Sequence, residues 1–370
     1  DGPRTLLFSS GRDPELKKLS ESGEEGTTFY RMDLGAGEAR KAFGVPLSAS
    51  LLDKVAPGKY LLRVNWDLRF SKAYQPKGGA KETLLKEKKE EQDYQVLDEM
   101  PFYFNGEGYV NKHRTAIFLY EEEGGKLTRL TKENFDVEAA HLSADGKSLL
   151  FTGESYTVRR KLRSGVYVYN LETGENQELL KPRTYSLYDA QWWGEKILLV
   201  GTDCKRYGLN ENAQFYTLDP ATGEVALLAA YEDAIGSSVG SDCRLGGGRE
   251  MLVQDGKLYF VATIRNASHV YCLDQSGKIC PVYTQEGSVD CMDVGNGKLY
   301  FIGMQDMKLQ EVYAWDQAGQ GCSQLTHFNE KVLENVYVAM PQKLTYENDG
   351  TDLDGWVLLP KDFDPNKTYP

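Results

Sequence analysis

Residues 236–240 read Gly-Ser-Ser-Val-Gly and match the G-x-S-x-G pattern that surrounds the nucleophile of many serine hydrolases. In that chemistry the serine lies on a sharp turn between a strand and a helix, where its hydroxyl is exposed beside an oxyanion hole. Here the following residues are Ser-Asp-Cys-Arg-Leu-Gly-Gly-Gly, a run that does not favour a helix. The motif therefore predicts a Gly- and Ser-rich loop, and Ser238 is not expected to be a nucleophile.

Metal chemistry finds little support in the sequence. The four histidines, His113, His141, His269 and His327, are scattered along the chain, and none has a neighbour at metal-ligand spacing. The segment 349–354 lacks the oxygen-ligand spacing of an EF-hand loop. We therefore expect no metal and no other cofactor.

Two loop segments, 203–215 and 236–248, combine arginines with acids, amides and glycines. Loops on a rigid scaffold often carry recognition. An arginine there could present a fork of donors to a carboxylate or a peptide carbonyl, and Glu211, Asp233 or Asp242 could receive an amine. The alternative is that these residues join neighbouring structural units through hydrogen bonds. The candidate substrate-binding residues are Arg206, Tyr207, Glu211, Asn212, Asp242 and Arg244.

The composition of the chain limits the classes of binding partner that are expected. The net charge of −12 and a sequence pI of about 5.0 disfavour nucleic acid and anionic membranes, because the long-range field repels polyanions. No apolar run approaches the roughly 20 residues needed to span a bilayer. The six cysteines contain no C-x-x-C pair and do not form a dense disulfide framework, which predicts reduced thiols and a cytoplasmic location.

The elements that would position these loops follow from an internal repeat. One landmark is a tight glycine turn before a short apolar strand, as in Asp145-Gly146 before KSLLF. The other is an aromatic, alternating strand that ends in a second glycine turn, as in VYVYNLETGE (166–175). The turn glycines 146, 194, 256 and 297 are 48, 62 and 41 residues apart. A four-stranded propeller blade needs about 40–50 residues, so the repeat fits that architecture.

Six such units predict an all-β protein, a β-propeller of four-stranded blades. The first repeat begins at its inner hairpin turn, so we expect a further blade, or part of one, upstream of Asp1 in a seven-bladed parent protein. Segment 77–100 interrupts the period, and its stretch AKETLLKEKKEEQ predicts a short charged helix that protrudes from one rim. This insertion is either solvated or a contact with another domain or subunit.

The C-terminal stretch LTYENDGTDLDGWVLLPKDFDPNKTYP resembles the segment that joins propeller and catalytic domain in the prolyl oligopeptidase family of serine peptidases, nearest to the acylaminoacyl-peptidase-like branch. Three other stretches are similar to blade segments of this family: DGKSLLFTGES (145–155), FNGEGYVNKHRTAIFLY (104–120) and QLTHFNEKVL (324–333). The resemblance implies a propeller over 1–333, with the insertion 77–100. It implies a linker and the first strand of a truncated α/β-hydrolase domain over 334–370.

The resemblance further implies that the catalytic Ser, Asp and His lie on the hydrolase domain, so no triad residue can be assigned in this sequence and its own enzymatic activity stays open. The propeller would cover the active-site cavity and admit short peptides but not folded proteins. The implied partners are short peptides, the chain's own hydrolase domain and a possible second copy of the protein. The alternative is a stand-alone binding or scaffold propeller of the TolB-like kind.

Overall fold

The computed structural model describes residues 4–35, 37–71, 79–94, 96–241, 245, 247–319 and 321–369. Its regular secondary structure consists mostly of antiparallel strands, with three α-helices among the described residues. The chain divides into two compact units, residues 1–227 and 228–370. They are referred to below as the first and the second unit.

The first unit opens with a sheet of three described strands, in the order β1-β2-β3. A helix, α1, connects the first two strands, and it begins where the Asp13 carboxylate accepts a hydrogen bond from the Glu15 amide, with Pro14 at the first helical position. The elements are β1 Thr5–Ser9, α1 Pro14–Glu21, β2 Thr27–Asp33 and β3 Arg40–Val45.

The second sheet has the order β4-β5-β8-β9 and carries the predicted insertion between its second and third strands. The predicted insertion, 77–100, contains the predicted charged helix, α2, and a small hairpin of strands β6 and β7 follows it. The whole segment 68–112 between β5 and β8 is called the insertion below. Two salt bridges hold the helix against the segment before β2, Lys81 to Glu24 and Lys88 to Glu25. The elements are β4 Ala49–Ala56, β5 Lys59–Asp67, α2 Gly79–Glu90, β6 Tyr103–Phe104, β7 Gly108–Tyr109, β8 His113–Glu121 and β9 Lys126–Arg129.

The third and fourth sheets are four-stranded meanders in which each strand pairs with the next along the chain. The third sheet consists of β10 Phe135–Leu142, β11 Ser148–Ser155, β12 Gly165–Asn170 and β13 Asn176–Leu180. The fourth sheet consists of β14 Ser186–Trp193, β15 Lys196–Thr202, β16 Gln214–Leu218 and β17 Val225–Ala229.

The second unit contains two further sheets and a C-terminal hairpin. The fifth sheet consists of β18 Ala234–Ile235, β19 Met251–Gln254, β20 Lys257–Ile264, β21 Ala267–Leu273 and β22 Ile279–Tyr283. The sixth consists of β23 Cys291–Gly295, β24 Lys298–Gly303, β25 Glu311–Asp316 and β26 Gly321–Gln324. A short helix, α3 Glu330–Leu333, precedes the hairpin of β27 Gln342–Asn348 and β28 Thr351–Val357. The six sheets correspond to propeller blades, and the predicted fold class, a β-propeller, is confirmed.

The predicted hairpin chemistry is present at the turns. Asp255 and Gly256 both have positive φ, as do Asn296 and Gly297, which is the backbone geometry of a two-residue hairpin turn. The predicted G-x-S-x-G loop is irregular over the described residues 236–241 and starts no helix there. Within it the Ser238 amide donates a hydrogen bond to the Thr263 hydroxyl at 2.8 Å.

Neighbouring sheets of the first unit pack through apolar faces. One core cluster joins Leu61 of β5 and Ile117 of β8 to Phe135, Leu149 and Phe151 of the third sheet, and all five side chains are buried. The period-two alternation of the strands places these side chains on a common face. This packing fixes the distance between the ends of the second and third sheets.

Two glycines, near the ends of the second strands of the fourth and sixth sheets, allow the backbone of the segment before each sheet's second strand to approach closely. A Cβ at Gly201 of β15 would overlap the Ser186 carbonyl oxygen, and a Cβ at Gly303 of β24 would overlap the Ser288 carbonyl oxygen. Neither site requires a positive φ, so the constraint is one of space. In β23 of the same sheet, Gly295 has no atom within 4 Å of such a Cβ.

We expect Gly303→Ala to destabilise the protein by about 2 kcal/mol or more, because the added methyl must displace the backbone of the Ser288 segment. Urea unfolding followed by circular dichroism measures the change. Gly295→Ala is the matched control in the same sheet and should lie within about 0.5 kcal/mol of the wild type. Equal stabilities for the two variants would show that no close approach exists at Gly303.

Candidate functional site

A cavity of about 600 Å³ opens between the ends of the second and third sheets, within the first unit. Its wall combines side chains from the end of β5, the beginnings of β8 and β10, the segment after β11 and the β6–β7 hairpin. Three arginines, Arg63, Arg114 and Arg160, line it together with the carboxylates of Asp136 and Glu138. The cavity is referred to below as the arginine cavity.

Arg160 is the centre of a charged network in the arginine cavity. Its guanidinium lies 3.2 Å from Asp136, 2.7 Å from Glu138 and 3.5 Å from Glu154. Asp136 and Glu138 alternate along β10 and so share a face, and the strand register places Glu154 of β11 opposite Asp136. The sheet pairing itself therefore gathers the three carboxylates around one cation.

Burial and charge pairing act in opposite directions in this network, and burial is the larger effect for the two β10 carboxylates. It disfavours the charged carboxylates and raises the pKa of Asp136 and of Glu138, although Arg160 opposes the shift. For Arg160 burial alone would lower the pKa, but the attraction of Asp136 and Glu138 outweighs it and the pKa is raised. The guanidinium thus stays charged, and it serves the carboxylates of the protein rather than a ligand.

Arg114 belongs to a second, fully buried pair. Its guanidinium binds both carboxylate oxygens of Glu99, at 2.7 and 3.2 Å, and the two residues are 1% and 3% exposed. Glu99 also accepts a hydrogen bond from the Lys112 amide at 2.9 Å. The guanidinium stacks over the Tyr156 ring at 3.6 Å and donates to the Tyr156 carbonyl. The pair fastens the insertion to the strand ends and leaves Arg114 no free face.

The outer wall of the arginine cavity is aromatic. Phe104, Tyr109 and Val110 of the β6–β7 region line it. Tyr103 and Tyr109 meet edge to face at 5.6 Å, and both are about half exposed. Backbone hydrogen bonds join the Met100 segment, which precedes the hairpin, to the Val158 segment, which follows β11. The hairpin is therefore attached to the third sheet as well. Tyrosines that offer an apolar face and a polar tip suit the binding of peptide-like ligands.

A neutral histidine completes the rim. His113 Nδ1 lies 3.1 Å from the Asn65 side-chain oxygen, and the ring lies 3.8 Å from the Asp67 carboxylate. Burial lowers the pKa of His113, so the imidazole is uncharged at neutral pH. The rim therefore offers hydrogen bonding rather than a positive charge.

Four of the sequence-predicted residues, Arg206, Tyr207, Glu211 and Asn212, come together in the β15–β16 loop, and none of them lines the arginine cavity. Glu211 accepts a hydrogen bond from the Arg206 amide and another from the Thr202 hydroxyl, both at 2.9 Å. The Arg206 guanidinium lies over the exposed Tyr207 ring at 4.7 Å.

Glu211 thus holds its own loop in shape, while the Arg206–Tyr207 pair lies on the surface. Asp242 and Arg244, the other two predicted residues, lie outside the described part of the chain. Asp233 is exposed just before β18. A role of these loop residues in substrate binding stays a prediction.

The arginine cavity was not predicted from the sequence. Its signal was the presence of charged residues inside apolar strands, Arg63 in KYLLRVNWD and Asp136 and Glu138 in FDVEAA. Buried charges of this kind are rare unless they are paired or functional.

Neither a metal cluster nor a membrane span stands out in the described ranges. No group of three or more His, Cys, Asp or Glu side chains there is arranged to hold a metal ion. Of the helices in the same ranges, none is long and apolar enough to cross a bilayer.

Fold and site together define a propeller module with a charged, partly aromatic cavity at the sheet ends. Among curated proteins, the chain is 23% identical over 378 residues to the uncharacterised peptidase YuxL of Bacillus subtilis, covering 99% of this chain and 54% of that protein. The chain thus spans about half the length of the curated relative it matches. No family model matches the chain.

Solved structures agree with the fold. The acylaminoacyl peptidase of Pyrococcus horikoshii superposes with a TM-score of 0.67 at 17% identity, over 98% of this chain and 51% of that one. The β-propeller domain of the Trilobed protease from Pyrococcus furiosus gives a TM-score of 0.52 at 14% identity, over 89% and 84% of the two chains. The resemblance that the linker sequence indicated is confirmed: the chain matches the propeller-containing half of peptidases of the acylaminoacyl peptidase and prolyl oligopeptidase type.

The Glu99–Arg114 pair provides a test of how the wall of the cavity is held. We expect Glu99→Gln to cost about 3 kcal/mol of unfolding free energy, because it leaves a buried guanidinium without its counter-charge. Trypsin should also cleave the insertion, residues 68–112, faster in this variant.

The matched control is Glu107→Gln, which removes the same charge from an exposed position on the same cavity. It should change the stability by less than about 0.5 kcal/mol. If Glu99→Gln is no more damaging than Glu107→Gln, the pair does not anchor the insertion.

Proposed function

We propose that this chain is the propeller part of a serine peptidase, and that it restricts access to, and helps to bind, short peptides for an α/β-hydrolase domain. In this proposal residues 1–333 form the propeller, and residues 334–370 form the linker and the first strand of the hydrolase domain. The similarity to YuxL and to acylaminoacyl peptidase supports the peptidase class. A cytoplasmic location stays a prediction.

The observation that carries the proposal is the exposed apolar surface of the C-terminal hairpin. Every residue of β27 is exposed, including Leu344 and Tyr346, and Leu353 and Trp356 of β28 are exposed as well. Tyr346 and Leu353 are register partners and share a face with Leu344, whereas Trp356 lies on the opposite face. Exposed apolar side chains of this kind indicate a surface that a partner covers. A hydrolase sheet that continues from this segment would be such a partner, and it agrees with the linker sequence DGTDLDGWVLLP (349–360).

The hairpin is nevertheless held in place at one edge. Asp354 of β28 lies 3.3 Å from both Arg265, in the β20–β21 turn, and Lys343 of β27. The Arg265 pair joins the hairpin to the fifth sheet within the second unit, and the Lys343 pair lies inside the hairpin. They support a defined, rather than floppy, attachment of the proposed catalytic domain.

The alternative, a stand-alone TolB-like propeller, predicts that Trp356 packs back on the propeller. Its side chain is 46% exposed, which favours the proposed two-domain peptidase. The arginine cavity adds support for a role in peptide binding, since arginine forks and tyrosines suit carbonyl and carboxylate groups. A second copy of the protein as partner stays a prediction, as does a contact made by α2.

The proposal is tested by placing one cleavable sequence in substrates of different size. The complete peptidase that contains this chain should cleave a short reporter peptide at least about 100-fold faster than the same sequence in a folded protein, because the propeller restricts entry. The 370-residue chain alone should cleave neither substrate. Rates of reporter release give both values.

Ser238→Ala in the complete peptidase is the control, and its turnover should equal that of the wild type, because the G-x-S-x-G stretch is a loop. Equal cleavage of the folded protein and the peptide would rule out gating. Turnover by the 370-residue chain that disappears with Ser238→Ala would rule out a separate catalytic domain.

A further inference from the structure

Arg63 differs from the other two arginines of the arginine cavity in its partners. Its guanidinium donates one hydrogen bond, from Nη2 to the Glu138 carbonyl oxygen at 3.2 Å. Its Nε is buried without a hydrogen-bond partner, as is the Nε of Arg160, which lies 3.5 Å from the Glu154 carboxylate. Within the described residues Arg63 makes no salt bridge, whereas Arg114 and Arg160 are each ion-paired at 2.7 Å.

The carboxylates that could neutralise Arg63 are occupied by other groups. Asp136 accepts from the Thr115 amide at 2.8 Å and pairs with Arg160. Asp189 accepts from the His141 ring at 2.7 Å and from the side-chain Nε2 of Gln191 at 2.6 Å. Both carboxylates act on Arg63 only at a distance, and burial is the larger effect, so the pKa of Arg63 is lowered. A partly buried guanidinium without a counter-ion is costly, and an anionic ligand would offset that cost.

Arg63 also stands where a ligand could reach it. Together with Asn65 and Thr115 it lines both the arginine cavity and an adjoining cavity of about 290 Å³, whose wall carries the small hydroxyl residues Ser48 and Ser50. Burial raises the pKa of Tyr156 to about 12, so its hydroxyl stays protonated at the edge of the same space and can donate. The groups that remain available are thus mostly donors around one cation without a salt bridge, and the exposed Glu107 carboxylate is the acidic exception on the same cavity.

We infer that Arg63 is the anchor for a peptide carboxylate, either the C-terminal carboxylate or an acidic side chain, which enters the arginine cavity past the Tyr103–Tyr109 hairpin. The guanidinium would bind the carboxylate through its free N–H groups, and the aromatic rim would pack on the peptide backbone. This inference rests on the proposed function, and it adds a substrate class: peptides that carry a carboxylate within reach of Arg63.

The test is calorimetric titration of the 370-residue chain with three acetylated tripeptides. Acetyl-Ala-Ala-Phe has a free C-terminal carboxylate, its amide has none, and acetyl-Ala-Asp-Phe-amide carries the carboxylate on a side chain. At least one of the acidic peptides should bind about 10- to 100-fold more tightly than the neutral amide. Whichever acidic peptide binds identifies the source of the carboxylate.

Two substitutions of Arg63 separate charge from geometry. Arg63→Gln should reduce the affinity for the acidic peptide to that for the amide, and Arg63→Lys should restore only part of it, since an ammonium lacks the bidentate fork. Arg183→Gln, which removes the same charge from an exposed loop of the same unit, should leave binding unchanged.

Equal affinity for all three peptides on the wild-type chain would overturn the inference without any variant. The inference would also be overturned if the affinity of Arg63→Gln for the acidic peptide stayed within twofold of the wild-type value. Because no turnover is measured, these results are independent of the size test above. If the complete peptidase is gated but this chain does not prefer carboxylates, only the inference about Arg63 fails. If this chain binds carboxylates but the catalytic domain is ungated or absent, only the proposed function fails.

Discussion

Buried carboxylates that accept hydrogen bonds from loop amides are the interaction on which this architecture depends. Glu99 binds the Lys112 amide, Glu154 binds the amides of Lys161 and Leu162, and Glu311 binds those of Phe328 and Asn329. Antiparallel sheets satisfy their own backbone, but the connections at their ends do not. Burial alone would raise the pKa of Glu311, yet the bonds from Thr326, Asn329 and Phe328 outweigh it and hold the pKa below its usual value. Such carboxylates hold long connections between strands in one conformation.

The arginine cavity follows from this constraint. The carboxylates of the third sheet are committed to backbone amides and to Arg160, and Glu99 is committed to Arg114. The remaining cation, Arg63, is held in place by one carbonyl and otherwise faces the cavity. A site built this way is organised before a ligand arrives, so binding does not require the loops to order. In the proposed peptidase, such a site would contribute to substrate choice in addition to the proposed restriction of substrate size.

Local features of the fold were predictable from the sequence, and the cavity was not. The Asp-Gly and Asn-Gly turns and the alternating strands depend on neighbouring residues, so the repeat and the charged helix of the insertion could be read directly. The arginine cavity joins β5, β8, β10 and the insertion, and pairings over such separations leave no short motif. The two-residue strands β6 and β7 are too short to show a period. Glu211 was predicted as a ligand-binding acid, and its bonds within its own loop could not be deduced from composition.

Hydrogen exchange of the folded chain measures whether buried carboxylates hold the connections between strands. The amides of Lys161, Leu162, Phe328 and Asn329 lie outside strands and donate to buried carboxylates. The amides of Ala221 and Ala318 donate to the carboxylates of Asp219 and Asp316, which are only partly buried, and these turns serve as references. We predict that the first group exchanges nearly as slowly as the adjoining strands. Exchange of the first group at the rate of the two reference turns would contradict it.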